Sequence, residues 1–328
     1  MTDLSAAALF RVIQASLLPL GVAGYVPFVT RLIAHSRLTG TNATVLASLY
    51  TRYMQHKLGT RPDSACERLM EVMPSVSPAG LQLTTAPTRI AHRLTGHVPR
   101  IYQYRYPGEP PMFHQSSART TFYDVAIEQR LPRIAQLVIL GAGFDTRAYT
   151  LPLSAKVRCF EVDEPKTQAF KREMLQKAGV DARSVTFVPA DFEREDWLEK
   201  LLAAGFSLSE PSFFVWESVS MYLDAAAVEG TLRKVARTAA GSGIAFDYFS
   251  REILDSRSPF MRYARAMIKL TGEPWKFGID NTPPVRDRVA AFLRANGLEL
   301  EEQRNFGPES GGRRALAGFA IANVPVAA

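Results

Sequence analysis

The chain has 328 residues, 47% hydrophobic and 22% charged, with a formal net charge of +7. That composition excludes a disordered or fibrous protein and leaves enough apolar material for a large core. Cys66 and Cys159 are the only cysteines; with no C-x-x-C pair and no His/Cys cluster, a disulfide scaffold is excluded and no metal site is expected. So few cysteines suit a reducing, cytoplasmic setting.

The charge is uneven. Residues 1–130 carry 13 Lys and Arg against 7 Asp and Glu, whereas the rest of the chain is nearly balanced. An acidic substrate or an anionic membrane surface would be attracted to such a segment. The basic residues are scattered and no nucleic-acid motif accompanies them, so no nucleic-acid partner is expected.

In chain order, SAAALFRVIQASLL has helical apolar spacing. It runs into an uncharged stretch between Arg11 and Arg31, VIQASLLPLGVAGYVPFVT. The stretch is near the length of a bilayer span, but Gln14, Pro19, Gly21, Gly24 and Pro27 cut it into short pieces. The expectation is a buried cap helix with a Pro-Gly bend, and membrane-surface contact through residues 12–30 ranks below it. TNATVLASLYTRYMQHKL and SACERLMEVM read as further helices, started by Thr41 or Asn42 and by Ser64. VPRIYQYRYPGEPPMF reads as an extended connector, and SSARTTFYDVAIEQRLPRI as a helix leading onward.

From about residue 136 the pattern changes. QLVILGAG, KVRCFEVD, SVTFVPAD and PSFFVWES are short apolar strands, each ending at a Gly or an acid. Helix-like EPKTQAFKREMLQKAG, EDWLEKLLAAG and DAAAVEGTLRKVARTAAG alternate with or follow them. SGIAFDYFS, GLELEEQRNFG and RALAGFAIANV read as further strands, with a helix at VRDRVAAFLRANG. Alternation of this kind predicts an α/β fold with a mostly parallel sheet covered on both faces. The predicted organisation is a helical substrate region over residues 1–115 and a core over 116–328, with residues 250–284 as an inserted lid.

Ligands of such sheets bind where the C-terminal strand ends meet the following segments. The first strand ends at Gly141, Ala142 and Gly143, where backbone can approach a ligand closely, and Asp145 and Thr146 are placed to cap the next helix. A dinucleotide fingerprint would want a third glycine where Thr146 stands. Asp163 lies 20 residues beyond Gly143, the spacing at which an acid accepts from ribose hydroxyls, and Glu161 is its rival on the same strand face. The third strand ends in Asp191 and Phe192, suited to an adenine amino group and ring. The fourth ends at Glu217, with Tyr222 five residues on. An acid at each of three strand ends suits a neutral-to-cationic adenosine ligand better than a polyphosphate.

LGAGFDTRAY, FEVDEP, PADFE and WESVSMYL together resemble the leucine carboxyl methyltransferase family. More closely they resemble its bacterial branch of S-adenosylmethionine-dependent O-methyltransferases assigned by similarity. SARTTFYD is similar to the segment that precedes the core there. The resemblance covers residues 116–250 and the tail more loosely; the first 100 residues match only as a helical cap, and the Pro/Gly-rich stretch near residue 20 departs from the pattern.

The resemblance implies a class I methyltransferase core, a Rossmann-like seven-stranded sheet whose last strand is antiparallel, with S-adenosyl-L-methionine as cofactor. It implies that Gly141, Gly143 and Asp145 line the methionine part and that Asp163 holds the ribose. Asp191 and Phe192 flank adenine, Glu217 lies near the amino group and sulfonium, and Arg119 clamps the carboxylate. All five histidines precede the core, which leaves His114 and Tyr222 as weak candidates for a catalytic role. The expected reaction is O-methylation of a hydroxyl or carboxyl of a small hydrophobic metabolite. The rival readings are an NAD-linked oxidoreductase and a membrane-attached binding protein with a degenerate core.

Overall fold

The computed structural model describes residues 3–39, 43–106, 114–152, 155–258, 261–262, 274–306 and 315–326. These fall into two compact units: Met1–Tyr106 with Glu173–Val180, and Pro107–Arg172 with Asp181–Ala328.

The second unit holds a seven-stranded sheet. Its strands are β1 (Gln136–Leu140), β2 (Arg158–Asp163), β3 (Val185–Pro189), β4 (Ser212–Trp216), β5 (Gly243–Phe249), β6 (Glu299–Phe306) and β7 (Ala317–Asn323). The order is β3-β2-β1-β4-β5-β7-β6. The first five named strands pair in parallel, and β7 lies antiparallel between β5 and β6. This is the class I methyltransferase arrangement that the motifs implied. β1 and β4 are buried along their whole length, which is why they read as unbroken apolar runs rather than alternating ones.

One face of the sheet presents Val138, Leu140, Phe160, Val162, Phe214 and Trp216 to a large apolar core. The helices α8 (Trp197–Ala203), α9 (Ala225–Val235) and α11 (Val285–Ala295) supply the other half through residues such as Trp197, Leu232 and Val289. Side chains alternate across a strand, so Ile139, Glu161, Asp163, Val215 and Asp247 belong to the opposite face. There α6 (Gln115–Arg130) packs, and its Phe122 stacks on Phe319 of β7 at 5.0 Å. The expected lid falls partly on residues 259–260 and 263–273, outside the described residues; its start forms the short helix α10 (Arg251–Asp255).

The first unit contains the helices α1 (Asp3–Ser16), α2 (Leu18–Thr39), α3 (Ala43–Lys57), α4 (Ser64–Val72) and α5 (Pro78–Thr95). The start expected for α3, Thr41 or Asn42, lies outside the described residues. α4 starts at Ser64 as expected, and Asp63 before it is the N-cap, its side chain accepting from Cys66 N at 2.9 Å.

A larger correction concerns residues 12–30. The expected bend is present just ahead of Pro19, but Gly21, Gly24 and Pro27 do not cut the run further. The chain bends by 61° between α1 and α2, and α2 then continues for 22 residues with Pro27 inside it. The glycines serve close packing instead. A Cβ on Gly24 would stand 2.4 Å from Thr84 N and 2.8 Å from Gly80 O, so α2 lies backbone to backbone on α5. The expectation of burial fails as well, because Leu18, Val22, Tyr25 and Val26 are exposed.

Gly24→Ala therefore forces two backbones apart and is expected to cost about 1–3 kcal/mol in urea unfolding. Gly230→Ala, inside α9 with nothing within 4 Å of its new Cβ, is expected to gain about 0.5–1 kcal/mol. Equal effects at the two positions would contradict the close crossing.

Candidate functional site

The strand order reverses between β1 and β4, and that reversal opens a crevice beyond their C-terminal ends. β1 leaves the sheet through Gly141 and Gly143, both with positive φ (62° and 42°). A Cβ on Gly141 would meet the Val219 side chain at 2.4 Å, so the turn needs glycine both for its conformation and for its room. Gly141 N donates to Val162 O at 2.8 Å, which fastens the turn to β2.

The segment after the turn departs from expectation. Asp145 and Thr146 cap no α-helix. A short 3-10 turn, Arg147–Tyr149, follows, with no side-chain cap bond. Asp145 Oδ1 instead accepts from Arg147 N at 2.8 Å.

Arg147 is buried, and its guanidinium joins three carboxylates from three elements. Nε donates to Asp124 of α6 at 2.6 Å, and Nη1 pairs with both Asp145 and Glu217. The guanidinium also stands 5.4 Å from the ring centre of Tyr123. Burial opposes the charge, but the three carboxylates more than offset it and hold the Arg147 pKa well above its ordinary value. Nη2 is buried with no hydrogen-bond partner among the described residues.

Arg119, also on α6, pairs through Nε with Asp247 Oδ2 of β5 at 3.0 Å. Asp247 accepts from Ser218 N at 2.6 Å and lies 3.1 Å from the Tyr123 hydroxyl. Burial nevertheless raises the Asp247 carboxyl above the ordinary range. Ser218 follows Glu217 with φ at 60°, and its buried Oγ has no hydrogen-bond partner among the described residues. A non-glycine residue held in that region is strained, and such strain gathers at functional sites.

Glu161 and Asp163 take different places in the structure. Glu161 is fully buried, pairs with Lys171 at 2.7 Å and accepts from the Tyr149 hydroxyl at 2.9 Å. Lys171 also donates to Asp145 O at 2.8 Å, so this pair braces the turn from beneath. Asp163 lies at the strand tip, where it accepts from Gly143 N at 2.6 Å and from Glu164 N at 2.7 Å. Burial pushes its carboxyl up to about 6 despite those two bonds.

The remaining candidates sit further out. Asp191 Oδ1 accepts from Glu193 N at 2.9 Å, and its backbone N donates to Glu195 Oε2 at 2.9 Å. Phe192 is half-buried, 6.3 Å from the Trp197 ring. Tyr222 ends the 3-10 turn Ser220–Tyr222 and is half-buried; it is near enough to Arg119 to influence its charge. His114 stands at the N-cap of α6. The structure thus gathers Arg119, Asp145, Glu217, Gly141, Gly143 and Asp163 around the crevice. It adds Asp124, Arg147, Ser218 and Asp247, which received no role from sequence. Arg147 lay inside the quoted LGAGFDTRAY, so the motif held the signal; Asp247 lay in SGIAFDYFS, which was read only as a strand.

Removing the shared cation should be costly. Arg147→Met leaves three buried carboxylates uncompensated and is expected to lower stability by about 3–5 kcal/mol in urea unfolding. Arg147→Lys keeps the charge but loses the planar fork, so it should restore only part of that loss. A loss below about 1 kcal/mol in Arg147→Met would contradict the arrangement.

Residues 78–236 match the family model described as leucine carboxyl methyltransferase. A Mycobacterium avium (strain 104) protein named "Putative S-adenosyl-L-methionine-dependent methyltransferase" is 33% identical over 58% of this chain and 60% of its own length. A Mycolicibacterium gilvum (strain PYR-GCK) protein of the same name is 34% identical over 52% of this chain and 66% of its own length. The chain thus matches under two thirds of the length of these relatives. A solved S-adenosylmethionine-dependent methyltransferase from Clostridium acetobutylicum ATCC 824 superposes with a TM-score of 0.44 at 9% identity, over 66% of this chain and 95% of that one. The fold assignment rests on the strand order rather than on that likeness. Both the motifs and the matched segment point the same way: over residues 78–236, the chain is similar to the leucine carboxyl methyltransferase family.

Proposed function

We propose that this protein is an S-adenosyl-L-methionine-dependent methyltransferase that methylates a hydroxyl or carboxyl oxygen of a small hydrophobic metabolite. The observation that carries the cofactor reading is a charge imbalance. At the β1/β4 crevice the guanidiniums of Arg119 and Arg147 stand against the carboxyls of Asp124, Asp145, Glu217 and Asp247. Two guanidiniums thus face four carboxyls, so negative groups outnumber positive ones there. A ligand bearing a sulfonium and an ammonium against one carboxylate relieves this. A dinucleotide, which brings a pyrophosphate, aggravates it. That favours the methyl donor over the NAD-linked reading.

In this reading the turn at Gly141 and Gly143 admits the methionine part to the backbone, with Asp145 behind it. Asp163 accepts from the ribose hydroxyls, and Asp191 and Phe192 receive adenine. Glu217 faces the cationic end, and Arg119 turns its remaining donors to the carboxylate. The orphaned Ser218 Oγ and Arg147 Nη2 supply further donors. When bound, the cofactor supplies an electrophilic methyl group on a good leaving group. The chain's own residues align the acceptor oxygen with it and keep water out. A carboxylate acceptor arrives ionised and needs no base; a hydroxyl acceptor would draw on Tyr222 or His114. Similarity to a carboxyl methyltransferase family and the relatives' names support the reaction class, and the preference for a small apolar acceptor is our own reading. A cytoplasmic setting is part of it.

Two experiments test this. Labelled-methyl transfer into a fractionated cell extract should place the label on small molecules; label on protein alone would overturn the acceptor class. The second uses pH. The folded Asp163 carboxyl titrates near 6, and only its ionised form accepts from both ribose hydroxyls. S-adenosylmethionine affinity should therefore fall about tenfold for each pH unit below about 6 and level off above it. Asp163→Asn should weaken binding and flatten the profile. A profile in the variant as steep as in the wild type would rule Asp163 out.

A further inference from the structure

The helical unit carries a surface unlike that of an ordinary soluble protein. On α1, Leu4 is 85% exposed and Val12 62%. On α2, Leu18 is 58%, Tyr25 55% and Val26 59% exposed, with Leu20, Val22 and Ile33 exposed beside them. On α5, Leu83, Ile90 and Leu94 recur at one face and are exposed as well. These helices pack on one another, α2 against α5 at the Gly24 crossing and α1 through the Gln14 Nε2 to Thr88 Oγ1 bond of 2.9 Å. The exposed side chains therefore belong to one packed layer. Scattered surface leucines are normal, but a set of this size on three adjoining helices marks a surface meant to be covered.

The charges on the same helices indicate what covers it. Arg11, Arg31, Arg89 and Arg93 stand on α1, α2 and α5, and the only acid in the sequences of these helices is Asp3 at the start of α1. Two copies of this layer face to face would oppose arginine to arginine. An anionic bilayer surface satisfies both features, because apolar side chains enter the acyl boundary while arginines meet lipid phosphates. Among the described residues no single helix is long and apolar enough to cross a membrane, and the α1/α2 pair is bent by 61°. That geometry suits helices that lie along a surface.

We propose that α1, α2 and α5 form a docking face for anionic lipid bilayers, on which the protein sits peripherally. This does not depend on methyl transfer, and its test reads no activity. The full chain is floated with vesicles of phosphatidylcholine alone and of phosphatidylcholine with phosphatidylglycerol. Binding is expected to the anionic vesicles, to be much weaker on neutral ones, and to fall as salt rises. Val22→Glu/Val26→Glu, at two exposed positions, should reduce partitioning at least about tenfold while leaving the thermal unfolding profile unchanged. Arg11→Glu/Arg93→Glu should abolish the preference for anionic lipid. Failure of the wild type to float with anionic vesicles would overturn the proposal. So would light scattering that finds a stable dimer which Val22→Glu/Val26→Glu dissociates, since the face would then be a self-interface.

Discussion

The site depends on one buried cation. Arg147 ties the middle of α6, the turn after β1 and the end of β4 together through Asp124, Asp145 and Glu217. A buried ion cluster of this kind is a poor source of stability, because desolvation consumes much of the Coulombic gain. Its value is geometric. A planar guanidinium with several donors fixes the directions of three carboxylates at once, and a lysine or an apolar side chain cannot. The Lys171–Glu161 pair does the same from below, holding the Asp145 carbonyl and so the floor of the turn.

With the carboxylates fixed, the crevice has a sign. Arg119 relieves Asp247 but leaves Glu217 and Asp145 sharing Arg147, so a cationic partner is favoured where the sheet order reverses. Preorganised charge of this type needs no rearrangement when a ligand arrives. Similarity to a carboxyl methyltransferase family, strand topology and local electrostatics are independent observations, and all three support the proposed cofactor. The acceptor is not encoded in this cluster, and for that reason the acceptor class rests on a different kind of test from the cofactor.

Much of the core was legible in the sequence. β1 and β4 read as unbroken apolar runs because both faces of the sheet are covered, and the residues that end them are those that reach the crevice. Asp163 was legible from its distance to Gly143, but its advantage over Glu161 was not. That choice is made by Lys171, which stands on a helix and takes Glu161 into the interior. Arg147 could be quoted but not assigned, since its partners Asp124 and Glu217 lie 23 and 70 residues away. In the helical unit, proline and glycine misled. Local rules read Pro19, Gly21 and Gly24 as breaks, whereas the contact of α2 with α5 turns Gly24 into a requirement for close packing. α5 itself went unread, with Pro78 starting it and Pro87 inside it.

The central claim is that the crevice selects its ligand by positive charge. The most direct measurement is calorimetric titration of the wild-type protein with S-adenosylmethionine and, in the same buffer, with NAD. Micromolar binding of S-adenosylmethionine and none of NAD is expected. Equal or tighter binding of NAD, or no binding of either, would contradict it.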